Sequence, residues 1–217
     1  MLVLYRITSI ASTNPSPIYQ DDKNQLNELC LESFLKAFSD IDLKIIFLAD
    51  HCDSECIEMI QEFSPESEII ESEHGINQAM IASYELAQEA DDYVLFQECD
   101  YMYEEKVGKM FLQALESLKL VSPYDHPNFY VDRELHSNEC KVELVNNHHF
   151  RTTERNTMTW GCHSDLVKEN LDILKHHGYL DGPVWHDLKE RGYDLWVPIP
   201  SLATHMVKDY LAPGWKL

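Results

Sequence analysis

The sequence contains little of what marks a disordered, fibrous or membrane-spanning chain. Its 217 residues include only 7 glycines and 9 prolines, which excludes collagen-like and low-complexity proteins. An uninterrupted apolar run of about 18 residues is missing, so we expect no transmembrane helix. The first ten residues, MLVLYRITSI, lack the basic start of a signal peptide and predict a strand instead.

Cysteine pairs of the Cys-x-x-Cys type are also missing. The 6 cysteines are spread along the chain, and only Cys52 and Cys56 lie about one helical turn apart. A structural zinc site would need further ligands, and no second cysteine pair accompanies these two. The cysteines therefore indicate reduced thiols, and the expected location is the cytoplasm.

Positive charge is scarce as well. Lysine and arginine number 17 against 38 aspartates and glutamates, which gives a formal net charge of -21. Proteins that bind nucleic acids normally present a basic face, so we expect no nucleic-acid partner. Most of the acids are typical of a solvated surface. A phosphate ligand, however, would need a cation to overcome the repulsion.

What is present is an apolar fraction of 44%, sufficient for a core, and a regular first half. The patterns predict strands over 2–10, 43–50, 67–72 and 92–97, and helices over 22–39, 53–63, 75–90 and 104–118. Continuous apolar strands that alternate with helices indicate a parallel sheet covered on both faces. The second half is less regular, with predicted strands over 141–146, 150–160 and 193–200 and helices over 164–177 and 183–191.

Acidic side chains stand where two of the predicted strands end. The stretch VLFQECDY (94–101) ends on Glu98 and Asp100, and LKIIFLAD (43–50) ends on Asp50. Ligands of parallel sheets bind at the carboxyl ends of the strands. Two neighbouring carboxylates can share Mg²⁺ or Mn²⁺, and such an ion bridges phosphate oxygens. The alternative is a solvated acidic loop.

The segment ADDYVLFQECDYMYEEKVGKMFLQAL resembles the part of GT-A-fold glycosyltransferases, particularly family 2-like members, that contains their Asp-x-Asp metal motif. IIFLADHCD (45–53), HGINQAM (74–80) and LDGPVWHDLKERGYDLWVPIPSLATH (180–205) are similar to further segments of that family. The resemblance covers roughly 1–205, with 121–155 aligning poorly. It implies an α/β GT-A (nucleotide-diphospho-sugar transferase, Rossmann-like) fold with a mostly parallel central sheet flanked by helices. It also implies one domain over 1–217, with a nucleotide-binding half (1–120), an acceptor-side half (121–205) and a C-terminal tail (206–217).

The same resemblance implies an activity. The expected reaction is metal-dependent transfer of a sugar from a nucleoside-diphosphate sugar, with UDP as the expected nucleotide, to a hydroxyl acceptor, with inversion. Mn²⁺ or Mg²⁺ is the expected cofactor, and an imidazole ligand favours Mn²⁺. Two alternatives stay open: a nucleotidyltransferase of related fold, and a non-catalytic protein that binds sugar nucleotides or glycans. The loop ITSIASTNPSP lacks the glycines and arginines that a nucleotidyltransferase usually has there.

The resemblance also assigns roles to individual residues. Asp181 is the expected catalytic base, with Asp187 as a substitute, and an acid in the first turn of a helix is the alternative interpretation of Asp181. The expected metal ligands are Asp100, Glu98 and His205. The expected nucleotide-binding residues are Thr8, Ser9, Arg6, Asp50, Gln78 and Lys208, with Asp53 as a second candidate. The expected sugar or acceptor residues are Glu98, Trp160 and Gly161. Two departures from the family pattern are Glu98, where aspartate is usual, and Leu180, where an acid usually precedes the base.

Overall fold

The computed structural model describes residues 1–20, 22–131 and 140–217. The first half alternates strands and helices as predicted, in the order β1 (Leu2–Ile7), α1 (Lys23–Ala37), β2 (Lys44–Asp50), α2 (Ser54–Phe63), β3 (Glu68–Ser72), α3 (Ile76–Ala87), β4 (Tyr93–Glu98), β5 (Tyr101–Tyr103), α4 (Gly108–Leu118) and β6 (Leu120–Val121). The four predicted strands and four predicted helices are all present. The short strands β5 and β6 were not predicted.

The second half consists of α5 (Asn128–Val131), β7 (Val142–Val145), β8 (His148–Thr153), β9 (Trp160–His163), α6 (Ser164–Glu169), α7 (Leu171–His177), α8 (Asp181–Glu190), β10 (Leu195–Ile199) and β11 (Ala203–His205). The predicted strand over 150–160 is in fact the separate strands β8 and β9. The predicted helix over 164–177 is interrupted at Asn170, whose side-chain amide donates to the carbonyl of Leu166 at 2.8 Å. A side chain that occupies a helix carbonyl in this way favours a break.

The central sheet is mixed, whereas the sequence predicted a mostly parallel one. In the described part of the chain its order is β3-β2-β1-β4-β9-β6-β10-β8-β7. The strands β3, β2, β1 and β4 are parallel, as expected from their helical connections. β9 runs antiparallel between β4 and β6, and β8 runs antiparallel to both β10 and β7. The β7–β8 hairpin turns at Asn146 and Asn147, whose positive φ angles of 48° and 62° are those of a type I′ turn.

Two apolar cores cover the two faces of this sheet. Successive residues of a strand point to opposite faces, and on β1 Tyr5 packs into one core while Leu4 packs into the other. The core around Tyr5 is closed by α1, α2 and α4, and the core around Leu4 by α3, α6, α7 and α8. The two predicted halves contribute interleaved strands to one sheet, since β9 lies between β4 and β6. Within the described residues, no helix combines the length and the apolar character needed to cross a membrane.

Trp160 and Gly161 lie in the interior, on opposite faces of the sheet, which corrects their predicted place in a sugar or acceptor wall. Trp160 is fully buried on β9, with its ring 4.4 Å from that of Phe96. A Cβ added to Gly161 would lie 3.0 Å from the carbonyl oxygen of Val94. Trp160 therefore packs in the core around Leu4, and the missing side chain of Gly161 leaves room for the Val94 carbonyl and the Phe111 ring on the other face.

Candidate functional site

The carboxyl ends of β1, β2 and β4 surround a cavity of about 360 Å³, which we call the strand-end cavity. A second cavity of about 560 Å³ lies on the side of α8. Glu98 and Tyr179 line both cavities, so the two adjoin at this pair. The strand-end cavity contains the predicted residues Arg6, Thr8, Asp50, Glu98 and Asp100. The second cavity contains the predicted residues Glu98, Asp181 and His205.

The carboxylate of Glu98 is held by side chains from three other segments. One oxygen accepts a hydrogen bond from the Tyr179 hydroxyl at 2.8 Å and lies 3.9 Å from the guanidinium of Arg6. The other oxygen accepts from the Thr159 hydroxyl at 3.1 Å. Glu98 lies between the two cavities. Both roles expected for it, a cation shared with Asp100 and a contact to a sugar hydroxyl, stay predictions.

Asp100 is paired with His205 instead. The short antiparallel pair of β5 and β11 places His205 opposite Tyr101, and the imidazole stacks on the Tyr101 ring at 4.8 Å. The Nε2 of His205 lies 3.3 Å from the Oδ2 of Asp100. Burial alone would raise the pKa of Asp100, but the positive charges of His205 and Lys23 outweigh it and hold that pKa well below its ordinary value. Burial likewise lowers the pKa of His205, and the charge of Asp100 outweighs it, so the net shift is upward.

Asp100 and His205 fit a metal site in which the protein supplies only two ligands. Within the described residues, no group of three His, Cys, Asp or Glu side chains is placed to hold an ion. Magnesium-type ions bound with phosphates, however, take only one or two protein ligands and fill the remaining positions with phosphate oxygens and water. Two adjacent ligands of an octahedral ion, each about 2.1 Å from it, lie about 3 Å apart, close to the observed 3.3 Å. The Nδ1 of His205 is buried and lacks a hydrogen-bond partner in the described chain.

Asp50 lines the strand-end cavity, but both of its oxygens are engaged. One oxygen accepts from the Ser72 hydroxyl at 2.8 Å and from the backbone N–H groups of His74 and Gly75 at 2.9 and 3.1 Å. The other lies 3.0 Å from the ring nitrogen of His51. Burial raises the pKa of Asp50, but these hydrogen bonds outweigh it, so the net shift is downward. Asp50 therefore fixes the loop before α3, which forms one wall of the cavity.

Only some of the remaining residues predicted to contact the nucleotide line the strand-end cavity. Thr8 and Arg6 line the strand-end cavity, and the Arg6 guanidinium donates to the carbonyl of Met158 at 2.8 Å. Ser9 is turned toward α2, where its hydroxyl accepts from the backbone N–H of Asp53 at 3.1 Å. Asp53 is the N-cap of that helix, which accounts for its carboxylate. Gln78 and Lys208 are exposed side chains that lie outside both cavities, so the structure does not bring them to the predicted site.

Asp181 is the first residue of α8, and its side chain faces the second cavity. Partial burial removes water from around the Asp181 carboxylate and raises its pKa. The neighbouring N–H of Gly182 and the charge of Arg155 oppose this rise only in part. A carboxylate with a raised pKa is better matched to proton transfer near neutral pH. Asp187, the predicted substitute, is hydrogen-bonded to His177 at 2.8 Å and lies outside the second cavity.

Two residues at the site were missed by sequence reasoning. Lys23, the first residue of α1, lines the strand-end cavity. Tyr179 separates the two cavities and binds Glu98 from 81 residues away. The only local signal for Tyr179 is its place two residues before Asp181. Lys23 follows two acids in the sequence, so its pattern is that of an ordinary surface charge.

A scan against protein-family models found no match, and a search of curated proteins found none either. Among solved structures, S. aureus TarS 1–349 in complex with UDP matches with a TM-score of 0.55 and 12% identity, over 89% of this chain and 56% of that one. The mannosyltransferase PcManGT from Pyrobaculum calidifontis, in complex with GDP-Man and Mn²⁺, matches with a TM-score of 0.56 and 10% identity, over 89% and 53%. A putative nucleotide-diphospho-sugar transferase from Desulfovibrio desulfuricans G20 matches at 0.51 and 9%, over 89% and 77%.

The chain thus spans about half the length of the TarS and PcManGT chains. At 9 to 12% identity these matches show the fold. The chain has the GT-A fold of nucleotide-diphospho-sugar transferases.

Proposed function

We propose that the protein is a glycosyltransferase, family 2-like, that moves a sugar from a nucleoside-diphosphate sugar to a hydroxyl acceptor. The observation that supports this most is the junction of the two cavities at Glu98 and Tyr179. On one side lie Asp100 and His205, which fit a cation bound together with phosphates. On the other side lies Asp181, a carboxylate with a raised pKa. Donor and acceptor would meet at the junction.

The nucleotide would bind in the strand-end cavity, against Thr8 at the end of β1 and the loop ordered by Asp50. UDP is the first candidate, because a related structure contains it, and GDP is the second for the same reason. Asp100 and His205 would hold Mn²⁺ or Mg²⁺, which when bound neutralises charge on the diphosphate. Mn²⁺ is the first choice because an imidazole is one of the two ligands. Glu98, held by Tyr179 and Thr159, would accept a hydrogen bond from the sugar.

The acceptor hydroxyl would enter through the second cavity. Asp181 would accept its proton as the hydroxyl oxygen attacks the anomeric carbon. The bond from that carbon to the diphosphate oxygen breaks, and its electron pair leaves with the diphosphate. Attack from the side opposite the departing group inverts the anomeric carbon. A non-catalytic protein that binds sugar nucleotides is the second candidate, favoured by the apolar Leu180 that precedes Asp181 and is exposed in this cavity.

Calorimetry with UDP and GDP tests the donor site. The titrations use the wild type and Asp100→Ala, each with Mn²⁺ and with a chelator. We expect the preferred nucleotide to bind in a metal-dependent way, and we expect the metal dependence to disappear in Asp100→Ala. Asp91→Ala is the matched control, because Asp91 is exposed near the opposite end of the same strand, β4. Folded wild-type protein that binds neither nucleotide would overturn the proposal.

A further inference from the structure

The strand-end cavity contains one cationic side chain that the proposed function has not used, Lys23. It is the first residue of α1, after the N-cap Asp22, and its side chain is partly buried. Lys23 and Asp100 both line this cavity and also a small recess beside it that is closed by Leu26 and Met206. The ammonium of Lys23 and the carboxylate of Asp100 are therefore neighbours on one wall.

The backbone of Lys23 is fixed by the first two turns of its helix. The side chain of Asp22 accepts from the N–H of Gln25 at 3.0 Å and closes the first turn. The amide of Asn27 donates to the carbonyl of Thr8 at 2.9 Å, which ties α1 to the end of β1. Leu26 packs against Met206 in a small apolar cluster. Lys23 thus lines the cavity from the start of a helix that is tied to the end of β1.

The other charged side chains around the cavity already have counter-charges. Arg6 lies 3.9 Å from Glu98, and His51 lies 3.0 Å from Asp50. Asp100 has its partner in His205.

The ammonium of Lys23 differs from these groups. None of the carboxylates in the described ranges lies within the 4.0 Å of an ion pair with it. A lysine side chain is a cation at neutral pH. In a chain with a net charge of -21, a cation that lines a cavity suits an anionic ligand.

We propose that Lys23 binds the diphosphate of the donor, together with the cation at Asp100 and His205. This inference rests on the proposed function. A lysine ammonium is a compact point charge with three donors, which suits the terminal oxygens of a phosphate. As the sugar departs, the electron pair of the broken bond stays on the diphosphate oxygen, and Lys23 offsets the negative charge that appears there. The proton of the acceptor hydroxyl goes to Asp181, so Lys23 keeps its own proton throughout.

The test compares nucleotides with their nucleosides. Calorimetry on the full chain uses UDP, GDP, uridine and guanosine with wild type, Lys23→Met and Lys36→Met, in the presence of Mn²⁺ and of a chelator. Loss of a hydrogen bond to a charged group predicts about 10- to 100-fold weaker binding of the preferred diphosphate to Lys23→Met. Binding of the corresponding nucleoside should not change. Lys36 lies in the last turn of the same helix, exposed and paired with Glu32, so Lys36→Met should resemble the wild type.

The outcomes separate this inference from the proposed function. A wild type that binds no nucleotide overturns both. If Lys23→Met binds the diphosphate with the same affinity as the wild type, the role of Lys23 is overturned and the proposed function stays intact. Equal weakening of diphosphate and nucleoside also overturns it, because the change would then concern the shape of the cavity. If Lys23→Met does not fold, Lys23→Arg replaces it. Because the charge is retained, the affinity of Lys23→Arg for the diphosphate should lie within about 5-fold of the wild-type value and should fall steeply as salt is added. An affinity that does not depend on salt would overturn the proposal.

Discussion

At the scale of single residues, the proposed proton transfer depends on Asp181. Its pKa is raised by loss of hydration, and a general base must be deprotonated to act. The rate should therefore fall as the pH drops through this raised pKa, so the acid limb of kcat/KM lies above the ordinary value for aspartate. We expect Asp181→Asn to lower kcat by about 100- to 10,000-fold while the donor affinity stays unchanged. Steady-state kinetics across pH and calorimetry with the donor nucleotide measure the two quantities.

Asp187→Asn is the matched comparison for this prediction. Asp187 lies on the same helix but faces His177 and not the second cavity. Its replacement should leave kcat and the acid limb unchanged. Equal losses in the two variants, or an Asp181→Asn protein with full turnover, would contradict the role of Asp181. A protein without any turnover that still binds the donor would be the non-catalytic alternative.

The sequence could locate Asp50, Asp100 and Asp181 because each stands at a boundary that local patterns reveal, either the end of a buried strand or the start of a helix. It could not reveal what those side chains contact. Glu98 meets Thr159 and Tyr179 across 61 and 81 residues, and such long-range pairs leave no periodic signal. For this reason the sequence did not predict that Glu98 is held by Thr159 and Tyr179.

At the scale of elements, β9 is the strand on which the sheet depends most, because it joins the parallel part to the rest. It pairs antiparallel with β4 on one side and β6 on the other. A methyl group at Gly161 would lie 3.0 Å from the Val94 carbonyl oxygen and 3.1 Å from the Phe111 ring. We expect Gly161→Ala to lower the free energy of unfolding by about 1 to 3 kcal/mol. Denaturant titration followed by circular dichroism measures this change.

Gly182→Ala serves as the control for that substitution. Gly182 lies in the first turn of α8, and a Cβ there would come no closer than 4.0 Å to Arg155. Alanine is the better helix former, so stability should stay the same or rise by up to about 1 kcal/mol. A Gly161→Ala protein as stable as Gly182→Ala would show that the packing around β9 is looser than described.

The same elements show how far the fold could be predicted. Long strands and helices with clear periodicity, such as β2 and α1, were found within a few residues of their observed ends. The direction of β9 was not predictable, because an antiparallel strand buried on both faces has the same apolar pattern as a parallel one. The three-residue strands β5 and β11 are too short for any pattern, yet their pairing brings His205 to Asp100.

At the scale of the whole molecule, the proposed function requires a strongly acidic chain to bind a ligand that is itself an anion. The net charge of -21 opposes a diphosphate at long range, and only local charge can reverse this. Under the proposed function, Lys23 and a cation held by Asp100 and His205 would supply that reversal in the strand-end cavity. The second cavity has Asp181 in its wall, and the two cavities adjoin at Glu98 and Tyr179. The proposal therefore gives donor and acceptor separate cavities that meet at this pair.

The most direct test of this account is a crystal structure with UDP and Mn²⁺, with GDP in parallel, using the anomalous signal of manganese to locate the ion. The account predicts the nucleotide in the strand-end cavity, manganese in contact with Asp100 and His205, and the diphosphate within hydrogen-bond distance of Lys23. A manganese peak away from Asp100, or a nucleotide outside this cavity, would contradict it.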